Sequence, residues 1–216
     1  MKYALLLISF FIVSCAQKVL VPLSNGVEAD PRKLKALYRD ERIRIEVRTG
    51  AWKGYPSDLE GYLLPIYLEV QNLSRSEIDI RLSDIRVIDD RGRQFNALTP
   101  KDASELARGS PSVGFSIGVG IGTPHWGLGW WGPPYYYEDV SDIVKRAFIE
   151  GSVLPGRKVS GFVYFQDLPK DSKRIELRIS YSVEGVVYDV IFPFEVKHGK
   201  DGSYNGNKEN RQGSGS

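Results

Sequence analysis

Arg42-Ile43-Arg44-Ile45-Glu46-Val47-Arg48 alternates aliphatic and charged residues without a break. A period of two sends successive side chains to opposite faces of an extended strand. Ile43, Ile45 and Val47 therefore share an apolar face, and their charged neighbours share a solvated one. The pattern recurs downstream. Tyr62 to Asn72 sets Leu64, Ile66, Leu68 and Val70 on one face, while Pro65, lacking an N–H, places its early part at an edge or bulge. Ile78, Ile80 and Leu82 continue the alternation. Ile85 and Val87 then lead to a turn at Asp89-Asp90-Arg91-Gly92, and Phe95 opens a short return strand. Later in the chain, turns at Leu154-Pro155-Gly156 and Leu168-Pro169-Lys170-Asp171 separate strands at Val159 to Phe165, Ile175 to Tyr181 and Val186 to Val196. Seven or eight strands between turn signals predict a mainly β protein, an antiparallel sandwich occupying residues 30–196.

Two other segments depart from this period. Asp30-Pro31 has the form of a helix start, with Leu34, Leu37 and Tyr38 following at helical spacing, and predicts one or two turns. Between the two runs of strands lies an insertion at about 99–151. Thr99-Pro100 predicts a short helix with Ala103, Leu106 and Ala107 on one side. Asp139 to Glu150 predicts a second, with Val140, Ile143, Val144, Ala147 and Phe148 on one face. Between them, residues 112–123 alternate apolar side chains with Gly or Ser, so that Val113, Phe115, Ile117, Val119 and Ile121 share a face opposite a nearly bare one. His125, Trp126, Trp130, Trp131 and Tyr135-Tyr136-Tyr137 follow, and this stretch holds three of the chain's four Trp residues.

The N-terminus is equally distinctive. Met1 and Lys2 precede an apolar run from Tyr3 to Val13, which suits the core of an export signal and is too short to span a bilayer. It ends in Ile12-Val13-Ser14-Cys15, which resembles the lipobox of bacterial lipoproteins. That resemblance implies that residues 1–14 are removed, that Cys15 carries a diacylglyceryl group, and that residues 15–29 tether lipid to fold. Ala16 stands where Asp is associated with inner-membrane retention, so the resemblance implies an outer-membrane location facing the periplasm. Cys15 is the only cysteine, which excludes an intrachain disulfide, and lipidation occupies a thiol that an oxidising envelope would otherwise attack.

Leu68-Glu69-Val70-Gln71-Asn72, the Asp-Arg-Gly hairpin and Leu154-Pro155-Gly156-Arg157-Lys158-Val159-Ser160-Gly161-Phe162-Val163-Tyr164-Phe165 together resemble the immunoglobulin-like domains of uncharacterised bacterial lipoproteins. The likeness covers about 42–98 and 152–196. It implies an immunoglobulin-like sandwich with the helix and Gly-aromatic insertion set into it, and it transfers no catalytic residue.

The composition narrows the function. A net charge of +2 on 216 residues, dispersed along the chain, lacks the concentrated basic face of a nucleic-acid binder. Gly118-Val119-Gly120-Ile121-Gly122 has neither the Lys-Ser/Thr of a phosphate-binding loop nor the dinucleotide spacing. His125 has only His198 as a fellow histidine, so no metal and no cofactor are expected. Asp89-Asp90 and Glu138-Asp139 have the form of turn and helix-cap acids, and no nucleophile motif is present. The expectation is a binding or scaffolding protein without catalysis. Its contact surface is Phe115, Trp126, Trp130, Trp131, Tyr135, Tyr136 and Tyr137, offered to an envelope protein, a glycan or a membrane. A purely structural protein whose insertion packs on its own sandwich is the alternative. A cell-wall hydrolase is a lesser one, and it requires a cleft joining acidic groups to His125. Residues 197–216 read as a polar disordered tail.

Overall fold

The alternating segment at Ile43–Arg48 forms the strand it implies, with Ile43, Ile45 and Val47 wholly buried. The computed structural model describes residues 18–108 and 141–198. In chain order its strands are β1 (Lys18–Pro22), β2 (Glu28–Asp30), β3 (Lys35–Arg39), β4 (Ile43–Arg48), β5 (Leu63–Asn72) and β6 (Ile78–Ile80). They continue as β7 (Ile85–Asp89), β8 (Gln94–Asn96), β9 (Gly151–Val153), β10 (Lys158–Gln166), β11 (Arg174–Val183) and β12 (Val186–His198). Helices α1 (Pro100–Ala107) and α2 (Ser141–Lys145) stand between β8 and β9.

The strands form two antiparallel sheets. One has the order β10-β5-β4-β3-β2. The other runs β1-β12-β11 and then forks, because β11 pairs with β7 over Ile175 to Ile179 and with β6 at Ser182 and Val183. Their inner faces supply the core: Ile43, Ile45, Val47 and Val70 from one sheet meet Val87, Ile179, Phe192 and Phe194 from the other. Each such side chain contributes about 1.5–3 kcal/mol of burial. The expectation of a mainly β antiparallel sandwich is borne out.

Pro65 shows how the ladder accommodates a missing donor. The pairing of β4 with β5 ends at Arg48 opposite Tyr67, so Pro65 lies beyond β4 and has only β10 beside it. Its partner Tyr164 turns its carbonyl away from β5 to accept the Leu98 N–H at 2.8 Å. The nitrogen of Pro65 therefore faces the open edge, as the sequence predicts.

Buried polar groups are satisfied at the chain crossings. Asn72, fully buried, donates to the carbonyls of Ser76 and Val153 at 2.8 and 2.7 Å and accepts from Ser74. Asp89 accepts from the backbone of Arg91 and Arg93, the Arg93 guanidinium and the Ser172 hydroxyl. Burial alone would push the Asp89 carboxyl up, but these donors outweigh it and hold it below the usual carboxylate range.

Four expectations are corrected. Residues 31–38 form no helix: Asp30 caps a turn, accepting from the N–H groups of Arg32 and Lys33 at 3.1 and 3.2 Å, and Lys35–Arg39 is β3. An isolated helix of two turns carries an unfavourable nucleus, whereas pairing with β4 satisfies the same backbone and buries Ala36 completely. The second insertion helix stops at Lys145, because Ala147 bridges to Phe162 and Phe148 donates to its carbonyl at 2.9 Å. Phe148 joins the sandwich core instead of a helix face, and Val144 is 56% exposed. The stretch read as tether contains β1, which runs antiparallel to β12 and buries Leu20, and it also contains the start of β2. The described strands number twelve instead of seven or eight, the surplus being β1 to β3 and short strands such as β9.

Candidate interaction surface

β10 is apolar on both faces. Val163 and Phe165 point into the sandwich, while Phe162 and Tyr164 point outward and are equally buried. What buries the outward pair is the insertion, together with the loop between β4 and β5. Trp52, Leu59 and Leu63 close over them from one side, and Ala103, Ala107 and Ile143 of the two helices from the other.

The sequence sets this up locally. Thr99 caps α1, accepting the Asp102 N–H at 3.2 Å, and Pro100 occupies its first position, where a missing N–H costs nothing. Small Ala103 and Ala107 then let the helix lie close to the sheet. The Trp52 ring meets Phe162 edge-on with centroids 5.0 Å apart, and Tyr67 meets Phe162 similarly at 5.4 Å. Trp52 donates its indole N–H to the Pro56 carbonyl at 2.8 Å. The Tyr164 hydroxyl donates to the Ile143 carbonyl at 2.9 Å, and burial pushes its pKa well above the ordinary tyrosine value, so it stays a donor. Tyr55 N–H donates to Asp142 at 3.0 Å, joining the loop to α2.

The rest of this outer face is ionic. Glu46, with its side chain 2% exposed, is held by Lys35 at 2.9 Å, Arg44 at 2.7 Å and Arg48 at 2.6 Å. Burial would raise its pKa, but hydrogen bonds from Lys35 and Arg48 outweigh that and hold the carboxyl below its usual range. Glu69 takes Arg44 and Lys158 at 3.2 and 3.4 Å, and the Arg48 guanidinium lies 5.2 Å from the Tyr67 ring centre. Acids and bases here compensate one another over a rigid sheet. Glu46 and Glu69 are each held by at least two cationic side chains.

Cys15, Phe115, Trp126, Trp130, Trp131, Tyr135, Tyr136 and Tyr137, singled out in the sequence, all lie outside the described residues, as does His125. Ala107 and Ile143, which stand on either side of residues 109–140, both belong to the cover of this buried aromatic cluster. The sequence reading missed Trp52, Tyr67, Phe162 and Tyr164 as its base. The unbroken run Phe162-Val163-Tyr164-Phe165 was the available signal, since a strand apolar on both faces is covered on both. Among the described residues no group of His, Cys, Asp or Glu is arranged to hold a metal ion. No described helix is long and apolar enough to cross a membrane.

No family model and no curated protein matches this chain. Three solved structures resemble it in part. A Bacillus subtilis protein classed provisionally as a lipoprotein (ycdA) is 12% identical with a TM-score of 0.43, over 77% of this chain and 39% of its own length. This chain thus spans about two fifths of that protein. The GAE domain of Saccharomyces cerevisiae GGA2p is 9% identical with a TM-score of 0.35, covering 74% of this chain and 94% of the domain. The secreted Mycobacterium tuberculosis protein MPT63 is 10% identical with a TM-score of 0.31, covering 67% and 86%. At these values the likenesses carry no function across.

Proposed function

We propose that the chain is a lipid-anchored envelope protein of binding or scaffolding type, without catalysis, held by Cys15 in the outer membrane and facing the periplasm. The export signal and the lipobox resemblance at Ile12-Val13-Ser14-Cys15 support the anchor and the location. The observation that carries the binding reading is how the insertion is held: buried Trp52, Phe162 and Tyr164, with Tyr67 packed against them, fix α1 and α2, one on either side of 109–140, against the sheet. From this cover the chain runs through 109–140, which holds three of its four Trp residues amid Gly. Trp and Tyr offer an apolar ring with a polar tip, suited to a partner protein, a glycan or a lipid interface. The non-catalytic reading is supported by the buried carboxylates Glu46 and Asp89, each committed to several structural donors.

Two measurements test the proposal. Cys15→Ser should abolish incorporation of a fatty-acid probe, and equal labelling of the variant would remove the anchor. Replacing Trp126, Trp130 and Trp131 by Ala should leave the melting temperature within a few degrees and weaken cosedimentation with envelope fractions. A stability loss of about 3–5 kcal/mol per residue, as for fully buried large aromatics, would instead make the segment part of the protein's own packing.

A further inference from the structure

The fold begins very close to its proposed anchor. Lys18 opens β1 opposite His198, and its ammonium, 15% exposed, contacts Asp167 at 2.6 Å and donates to the Leu168 carbonyl. The start of β1 is therefore pinned at a definite point. That point lies at one end of the sandwich. The registers put Leu63 opposite Gln166, Lys35 opposite Arg48 and Asp89 opposite Ile175 at this same end. A crevice there is lined by Lys18, Leu20, Thr49, Gly50, Leu63 and Asp167. The loop 49–62 and the turns at 31–34, 90–92 and 167–173 thus surround the start of β1.

Cys15 precedes Lys18 by three residues, and three residues span at most about 10 Å when fully extended. The headgroup layer on each side of a bilayer is itself roughly 5–7 Å deep. A lipid on Cys15 therefore leaves no room for the domain to stand off from the surface. We propose that this end of the sandwich, with the loop 49–62 and the 167–173 turn, rests directly on the lipid headgroups, while the β11–β12 hairpin points away. β12 has 13 residues, which at about 3.3 Å each puts its far tip on the order of 40 Å out. The inference rests on the acylation of Cys15 proposed above and adds an orientation to it.

The chemistry of the two ends agrees. At the near end Tyr55 and Tyr62 are 46% and 54% exposed, and aromatic rings with polar tips favour the headgroup level. Arg32, Lys53, Lys170 and Lys173 are exposed there and form no ion pair among the described residues. Asp30, Asp167 and Asp171 are neutralised by Lys33, Lys18 and the pair Arg91 and Arg93, leaving Asp58 and Asp90 there without an ion pair among the described residues. An anionic bilayer surface meets more uncompensated cation than acid. At the far end Leu154, Val186 and Val187 are exposed and aliphatic, and the orientation holds them clear of the membrane.

The test uses the full-length acylated protein in vesicles of phosphatidylethanolamine and phosphatidylglycerol carrying a headgroup-attached quencher. Because acylation occupies the only native thiol, one introduced cysteine takes a fluorophore uniquely. Fluorescence should be lost at Lys53→Cys and Lys170→Cys and retained at Leu154→Cys and Val187→Cys. A spacer of flexible residues inserted between Gln17 and Lys18 should restore it at the first two. Equal or reversed quenching in protein that retains its fatty-acid label overturns the orientation alone. Quenching at Lys53 that survives the spacer overturns the short tether as its cause. Loss of fatty-acid label from the parent protein overturns the anchor and the orientation together.

Discussion

At Gly161 a hydrogen stands where any other residue would carry a carbon. A Cβ there would lie 2.5 Å from both the Ala147 carbonyl oxygen and the Phe148 nitrogen, which are backbone atoms that cannot swing aside. This close approach is what lets the chain after α2 hydrogen-bond to Phe162 and end the helix early. Gly161→Ala should therefore cost about 1–3 kcal/mol or more through forced backbone movement, measured as a drop in the midpoint of urea unfolding. A variant that unfolds with the parent would show that the approach is not close in solution. Nothing in the sequence around Gly161 announces this requirement. A glycine inside a strand pattern signals that another backbone can come near, but not which one.

At the element scale β3 makes the sharpest contrast between local pattern and partner. Asp30-Pro31 with Leu34, Leu37 and Tyr38 satisfies helix rules, and a helix with that face would leave Ala36 off it. In the strand Ala36 lies opposite Val47 and is wholly buried. Ala36→Asp should thus unfold the protein by burying an unpaired carboxylate, read as loss of the β signal in circular dichroism. Retention of that signal would restore the helical reading. The elements legible from a long, clean period were β4, most of β5, β10, β11 and β12, while β7 and α1 were marked by the turn and cap residues beside them. The ones misread were short. Five residues of strand or four of turn contain too few repeats to separate a period of two from one of 3.6, and the packing of neighbours decides.

For the whole molecule, β1 decides where the domain starts. It lies along β12 from Lys18 to Pro22, buries Leu20 and Val21, and receives a hydrogen bond from the Thr49 hydroxyl on the Leu20 carbonyl at 2.6 Å. A chain beginning at Asp30 loses about 1.5–3 kcal/mol for each of those two side chains and extends the free edge of β12 through Phe194–His198. It should melt lower than a chain beginning at Lys18 and self-associate in size-exclusion chromatography, whereas equal melting and elution would make β1 an appendage. The sequence by itself determined the sandwich, because alternating burial is a local property written into each strand, and turn residues mark where each one stops. It also marked the insertion and its Gly-aromatic centre by composition alone. Only the tertiary structure decided that the segment after Cys15 joins the sheet almost at once, that the helix after Ser141 yields to a bridge, and that four aromatics from three segments pack into one cluster beneath the insertion. Those outcomes depend on which backbone lies alongside which. The choice of pairing partner leaves no mark in the periodicity of either segment.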